Sequence, residues 1–272
     1  MTRAQPIHRI LAAAVTALAA TAGWAQDSDS DLQKKLANPI ADIVTLPFQW
    51  NTNLGANQFG KPQQVLNIQP VYPTSLGGGW SLINRAIVPV ISQPAFLPDQ
   101  GRTNGLGDIT YEGFIAPPPG ANGLIWGVGP IAVLNTATSD VLGQGKFSLG
   151  PAAVALWQSP AWTIGALATQ VWSVAGDSDR SNVNAFSLQP IVSYRLDSTQ
   201  SIGYIGTMTA NWDEKRSSQR WTVPLGVSYS LLVRPEGFVP MNFVIGAGYN
   251  VIRPDNSSDW FLRFQVNFIL PK

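Results

Sequence analysis

"DWFLRFQVNFIL", residues 259 to 270, decides the fold. Read with period 2, it places Trp260, Leu262, Phe264, Val266, Phe268 and Leu270 on one face and Arg263, Gln265 and Asn267 on the other. "SIGYIGTMTANW", residues 201 to 212, does the same, with Ile202, Tyr204, Met208, Ala210 and Trp212 against Thr207, Thr209 and Asn211. In "RWTVPLGVSYSLLV", residues 220 to 233, Trp221, Val223, Leu225, Val227, Tyr229 and Leu231 oppose Thr222, Ser228 and Ser230. A β-sandwich also alternates, but its polar face meets water and is rich in Lys and Glu. Here that face is mostly Thr, Ser, Asn, Gln and Gly with an occasional Arg, which suits a lumen. Earlier strands such as "LIWGVGPIAVL" are apolar on both faces.

Working outward, twelve segments of this kind follow residue 42, at about 43–53, 64–75, 80–93, 106–116, 124–136, 146–158, 162–175, 183–196, 200–213, 219–233, 238–252 and 259–270. The even-numbered gaps are mostly tight ("LGGG", "SPA", "DST", "RPEG", with "APPPGAN" longer). The odd ones are mostly longer or more polar, such as "LGANQFGKPQQ" and "NTATSDVLGQG". Short turns at one end, longer loops at the other and an even strand count describe a closed antiparallel transmembrane β-barrel of about twelve strands, the plan of a bacterial outer-membrane protein. The charged fraction is 12%, about half that of a soluble domain, so something other than water faces much of the surface. After residue 25 no apolar run is long enough for a helical span. Trp80, Trp157 and Trp162 fall beside the short turns and Trp172, Trp212, Trp221 and Trp260 toward the long loops, as two interfacial girdles would.

The N-terminus has a basic start (Arg3, Arg9), a run of apolar and small residues from Ile10 to Ala22, and small residues flanking Trp24. We read residues 1–25 as a secretory signal peptide, 26–42 as a periplasmic tail with a short helix, and 43–272 as the barrel. Its removal changes 17 basic against 16 acidic residues to 15 against 16, a net charge of −1, so a nucleic-acid partner is not expected. The segment around Leu32 to Ile43 is a candidate plug.

"LANPIADIVTLPFQ", "GLIWGVGP", "TATSDVLGQGKFSLGP", "GDSDRSNVNAFSLQP" and "WFLRFQVNFILPK" resemble, in order and spacing, the landmarks of a group of Gram-negative envelope proteins. The chain is similar to the outer-membrane family named for the meta-pathway of phenol degradation (MetA-like), whose members are often labelled transporters and sometimes "neuromedin U". The resemblance runs from about Leu36 to Lys272. It implies an outer-membrane barrel and suggests aromatic-compound uptake, and it transfers no site residues.

The only histidine, His8, leaves with the signal, and cysteine is absent. A Ser-His-Asp or Cys-His system and ordinary zinc sites are thereby excluded from the mature chain, and we expect no enzyme, no cofactor and no metal. Asp108 and Glu112, at i and i+4 of a strand, stand about 13 Å apart, too far for a glycosidase pair. Asp140, Asp177 and Asp179 are ordinary turn formers without calcium-loop spacing. Alternation nominates the lumen set Asn67, Gln69, Arg85, Asp108, Thr110, Glu112, Thr207, Thr209, Asn211, Asn242, Arg263, Gln265 and Asn267. Twelve strands imply a narrow or partly plugged pore. The expected function is an outer-membrane channel for small, apolar or aromatic solutes, with outer-membrane lipid and a small-molecule solute as partners. The alternative is a non-transporting barrel acting as a structural or surface-interaction protein.

Six prolines, Pro70, Pro89, Pro130, Pro151, Pro190 and Pro224, fall inside the segments. Proline donates no ladder bond, so each should cost a rung or sit at a bulge. Pro130 and Pro151, on adjacent strands, also suggest a lateral gap in the wall.

Overall fold

A computed structural model describes residues 28–95, 97, 101–120 and 122–272. The signal-peptide reading lies outside them. After a helix α1 (Asp29–Leu36), the chain runs β1 (Val44–Asn53), β2 (Gln63–Ile68), β3 (Val71–Gly77), β4 (Trp80–Gln93), β5 (Thr103–Leu106), β6 (Thr110–Ala116), β7 (Leu124–Val133), β8 (Lys146–Gln158), β9 (Trp162–Gly176), β10 (Asn184–Arg195), β11 (Gln200–Tyr204), β12 (Met208–Asn211), β13 (Trp221–Val233), β14 (Met241–Ile252) and β15 (Trp260–Leu270). Each of the pairs β2 with β3, β5 with β6 and β11 with β12 is one barrel strand in two pieces, which makes twelve antiparallel strands. The sheet closes where β1 pairs with β15, from Val44↔Leu270 to Asn53↔Phe261. Closure leaves no edge and satisfies the backbone within the wall, the condition for a span in lipid.

Prolines explain the breaks. Pro70 itself interrupts β2 and β3, and the wall is re-tied there by Gln69 N donating to Pro47 O (2.9 Å) and Ala86 N to Pro70 O (3.1 Å). Residues 107–109 face only Val88 and Pro89 between the pairs Ile87↔Thr110 and Val90↔Leu106, so one extra residue bulges. Residues 205–207 lie between Pro190 on β10 and Pro224 on β13, and β13 itself shifts register against β14 at Val223/Pro224.

Pro130 and Pro151 behave differently. They face each other in an unbroken β7–β8 ladder, so their missing donors point outward along the sheet to β6 and β9. Those flanks lose pairing at Gly129–Pro130 and Gly150–Pro151. No lateral gap results, because a Cβ on Gly129 would lie 1.7 Å from Gly113 O and one on Gly150 1.7 Å from Gln170 O. Backbone fills the place of the missing rungs, and only glycine permits that approach.

The outer face is apolar. Val128, Ile164, Leu225, Val227, Ile245, Leu262 and Phe264 are all exposed on it. Trp80, Trp126, Trp157, Trp162 and Tyr194 ring the short-turn end, with Trp80 edge-on to Trp126 and Trp162 against Tyr194. Trp50, Trp172, Trp212, Trp221, Tyr249 and Trp260 ring the long-loop end.

The inner face is divided. On β4 and β6–β10, Ile83, Phe114, Ile125, Ile131, Ala152, Val154, Leu156, Leu167, Val171 and Ile191 form one buried apolar cluster. On β14, β15, β1 and β2 the inner positions carry Asn242, Asn250, Arg263, Gln265, Asn267, Gln49, Asn51 and Asn67.

Candidate functional site

The lumen is the candidate site, and its polar groups are organised around two guanidinium groups, Arg263 on the polar half and Arg85 on β4 at the edge of the apolar cluster. Arg85 and Glu112 are register partners on β4 and β6. Arg85 Nη1 lies 3.2 Å from Glu112 Oε2, and Nη2 donates to Gln69 Oε1 at 2.5 Å. Both carboxylate and guanidinium are largely buried, so each depends on the other for compensation. Arg263 Nε donates to Asn51 Oδ1 (2.9 Å), and Arg263 lies within electrostatic reach of Arg85. Among the described residues it has no ion-pair partner.

Of the remaining residues nominated from alternation, Gln265 Nε2 donates to Asn267 Oδ1 (2.6 Å), and Asn67 stands opposite Gln49 on the same wall. Thr110 faces inward between Ile87 and Val133. Asn242 is buried, with an Oδ1 that finds no partner. Thr209 and Asn211 are exposed near the long-loop end, paired with Ser187 and Ala185. Thr207 falls in the break after β11 and belongs to no strand.

Asp108 is committed to a loop. Its Oδ1 accepts from Thr136 N (3.2 Å) and Ala137 N (3.1 Å), and its Oδ2 from Gln144 N (2.7 Å). These bonds fold the 134–145 loop over the inner side of β5. Gly105, an inner position opposite Ile91, has no room for a Cβ because Thr138 Oγ1 and Leu142 Cδ1 would be 2.1 and 2.9 Å away. Leu142 is buried, and Arg180 Nη2 holds Gly143 O at 2.6 Å. The long-loop mouth is thus narrowed by the chain itself.

The other mouth holds the N-terminal segment. Ser28 caps α1 by accepting from Asp31 N (3.1 Å), and Asp29 and Asp31 sit favourably in the first turn. Leu32 and Leu36 pack on Leu232 and Ile269, while Ile40 enters the apolar cluster. Polar ties come from the rim: Arg234 to Asp29 (2.5 Å), Arg195 to Ser30, Gln33 to Thr199 O, Gln158 Nε2 to Lys34 O (2.8 Å) and Lys272 to Asp42. A cavity of about 10 Å³ between α1 and the wall, lined by Gln33, Lys34, Thr163 and Arg195, has room for a single water.

Alternation in isolated segments did not reveal the inner ends of β8. Lys146 and Ser148 face inward there, exposed by 7% and 0%; Ser148 Oγ has no partner, and none is present for Lys146 among the described residues. The signal was available, since Lys146, Ser148 and Gly150 alternate with Phe147, Leu149 and Pro151. No group of three His, Cys, Asp or Glu suited to a metal occurs among the described residues. No described helix is long and apolar enough to cross a membrane.

A closed twelve-stranded antiparallel barrel with an apolar exterior and two aromatic rings defines an outer-membrane β-barrel, and the cell outer membrane is its location. No protein-family model matches the chain, and no curated protein does. Among solved structures, it is similar to the COG4313 outer membrane channel from Pseudomonas putida F1, at 14% identity and TM-score 0.62, over 84% of this chain and 94% of that one. It is also similar to the NanC porin, at 12% identity and TM-score 0.51, over 84% of this chain and 100% of that one. By the usual plan of such barrels, the short turns are periplasmic.

Proposed function

We propose that the chain is an outer-membrane channel for small apolar or aromatic solutes, closed at rest by its own residues. The observation that carries this reading is the divided lumen. A barrel kept only for structure gains nothing from a buried apolar wall facing a polar wall, whereas an apolar solute needs a continuous greasy surface and exchangeable polar groups opposite it. Each closure combines a handful of polar bonds with a small apolar contact, Leu32, Leu36 and Ile40 at one mouth and Leu142 at the other. The likeness in fold to two channels supports the reading, as does the resemblance to the meta-pathway group.

Purified protein in liposomes is expected to raise permeability to small aromatic solutes, and to raise it further when the Asp108 or Arg234 ties are removed. Vesicles that stay sealed to every solute, in wild type and in both variants, would overturn the channel reading. They would favour the second one, a non-transporting structural or surface-interaction barrel, which the occupied mouths also suit. We further propose that the chain is not an enzyme, since residues 28–272 contain neither imidazole nor thiol.

A further inference from the structure

The inner face of β8 is graded along its length. From the long-loop end it presents Lys146, Ser148 and Gly150, and then Ala152, Val154 and Leu156 of the apolar cluster. The Ser148 hydroxyl is buried and makes no hydrogen bond, which leaves its desolvation uncompensated, and the mostly buried Lys146 side chain beside it has no ion-pair partner among the described residues. Two residues apart on one face, they present two donors without an acceptor.

The nearby carboxylates do not provide one. Asp108 is occupied by three backbone N–H groups of the 134–145 loop, and Asp177 Oδ1 accepts from Asp179 N (2.9 Å). The neighbouring charge is also positive, since the Arg180 side chain packs beside Gly145, immediately before Lys146.

We propose that Lys146 and Ser148 form the head-group site for an amphipathic monocarboxylate whose apolar body lies along Ala152, Val154, Ile131 and Val171. This rests on the channel reading and names its solute class. One carboxylate oxygen takes a charge-assisted bond from the Lys146 ammonium and the other accepts from the Ser148 hydroxyl, so both unpartnered groups are satisfied together. A phosphate dianion would need more donors and more positive charge than one ammonium and one hydroxyl supply. Val171, whose Cα lies beside Gly150, brings the apolar wall to within two residues of Ser148, about 7 Å at the usual strand rise, which sets the reach from head group to apolar wall.

The test is calorimetric titration of the detergent-solubilised full-length protein with phenylbutyrate, phenylbutanol and phenylbutylammonium, which share a body and differ in head charge. The carboxylate is expected to bind ~10-fold or more tightly than the alcohol, with no binding of the ammonium. Lys146→Gln should bring the carboxylate down to the level of the alcohol, Ser148→Ala should weaken it by about 3-fold, and Lys146→Arg should restore it. Alcohol affinity should stay constant throughout, which shows that the variants are folded. Equal binding of the three probes, or a Lys146→Gln protein that keeps its carboxylate affinity, would overturn the proposal. Planar-bilayer conductance of phenylbutyrate separates the two readings. A sealed bilayer with intact carboxylate binding sinks the channel and leaves the site standing, and a conducting barrel without carboxylate preference does the reverse.

Discussion

Arg85 and Glu112 meet inside the barrel at 3.2 Å, as register partners on β4 and β6 with Gln69 as a third member. Glu112→Gln leaves the Arg85 charge uncompensated and should cost about 3–5 kcal/mol, whereas the double change Arg85→Met with Glu112→Leu should cost much less. The midpoint of heat-induced mobility change on gels, run for the two proteins side by side, checks this. A single variant as stable as the double would show that water already compensates Arg85.

Asp108 tethers the inward loop through three backbone N–H groups. Asp108→Ala should release residues 134–145, at about 1.5–3 kcal/mol per charge-assisted bond lost. The expected signs are new protease cleavage within the loop of the reconstituted protein and a larger single-channel current. An uncut loop with unchanged current would mean that Leu142 packing alone holds it.

The tie from Arg234 to Asp29 is partly exposed, so Arg234→Gln should lower stability by only ~0–1 kcal/mol. Its effect should instead appear as faster amide exchange over 29–36 and higher permeability, with high salt mimicking it in wild type.

Gly150 has Gln170 O where a side chain would begin. Gly150→Ala should cost about 1–3 kcal/mol or prevent assembly, because backbone and not a flexible side chain must give way. Gly60→Ala is the control. It has open space and a φ of +66°, so only the backbone penalty of about 1 kcal/mol applies.

In the periplasmic turn, Asp197 holds Thr199, whose carbonyl accepts from Gln33 of α1. The backbone N–H of Thr199, its hydroxyl and Gln200 keep the Asp197 carboxyl below its ordinary value of 3.8, outweighing a smaller opposing effect of desolvation. A lowered folded value contributes stability that is present above 3.8 and lost as pH falls through the folded value. Protection of the amides at Thr199 and along α1, taken relative to their intrinsic exchange rates, should therefore fall only below about pH 4, and Asp197→Asn should show lowered protection that no longer changes with pH. Acid-dependent protection persisting in that variant would place the effect elsewhere.

Much of the wall was legible in the sequence because alternation is a local property. Trp260 to Leu270 sort themselves, and the boundaries of β4, β8 and β13 follow from turn residues within a few positions. The polar set Arg85, Glu112, Gln69, Arg263 and Asn267 emerged from the same rule, and the structure makes bonded groups of them. Asp108 and Thr207 stand where bulges and breaks suspend the rule. Lys146 and Ser148 escaped because a lysine at a strand end beside glycines reads as a solvated turn until burial is known.

The sequence by itself determined a membrane barrel, its handful of inward polar residues and the proline positions that interrupt its ladders, since each depends on neighbours two residues away or on a missing N–H. Only the tertiary structure decided which half of the lumen is apolar, that the 134–145 loop turns inward onto Asp108, and that α1 closes the opposite mouth. Those contacts join residues 28 to more than 200 positions apart, through bonds such as Asp108 with Thr136 and Arg234 with Asp29. No periodicity within one strand encodes them, because they form only when the closing of β1 on β15 brings distant strands around a common interior.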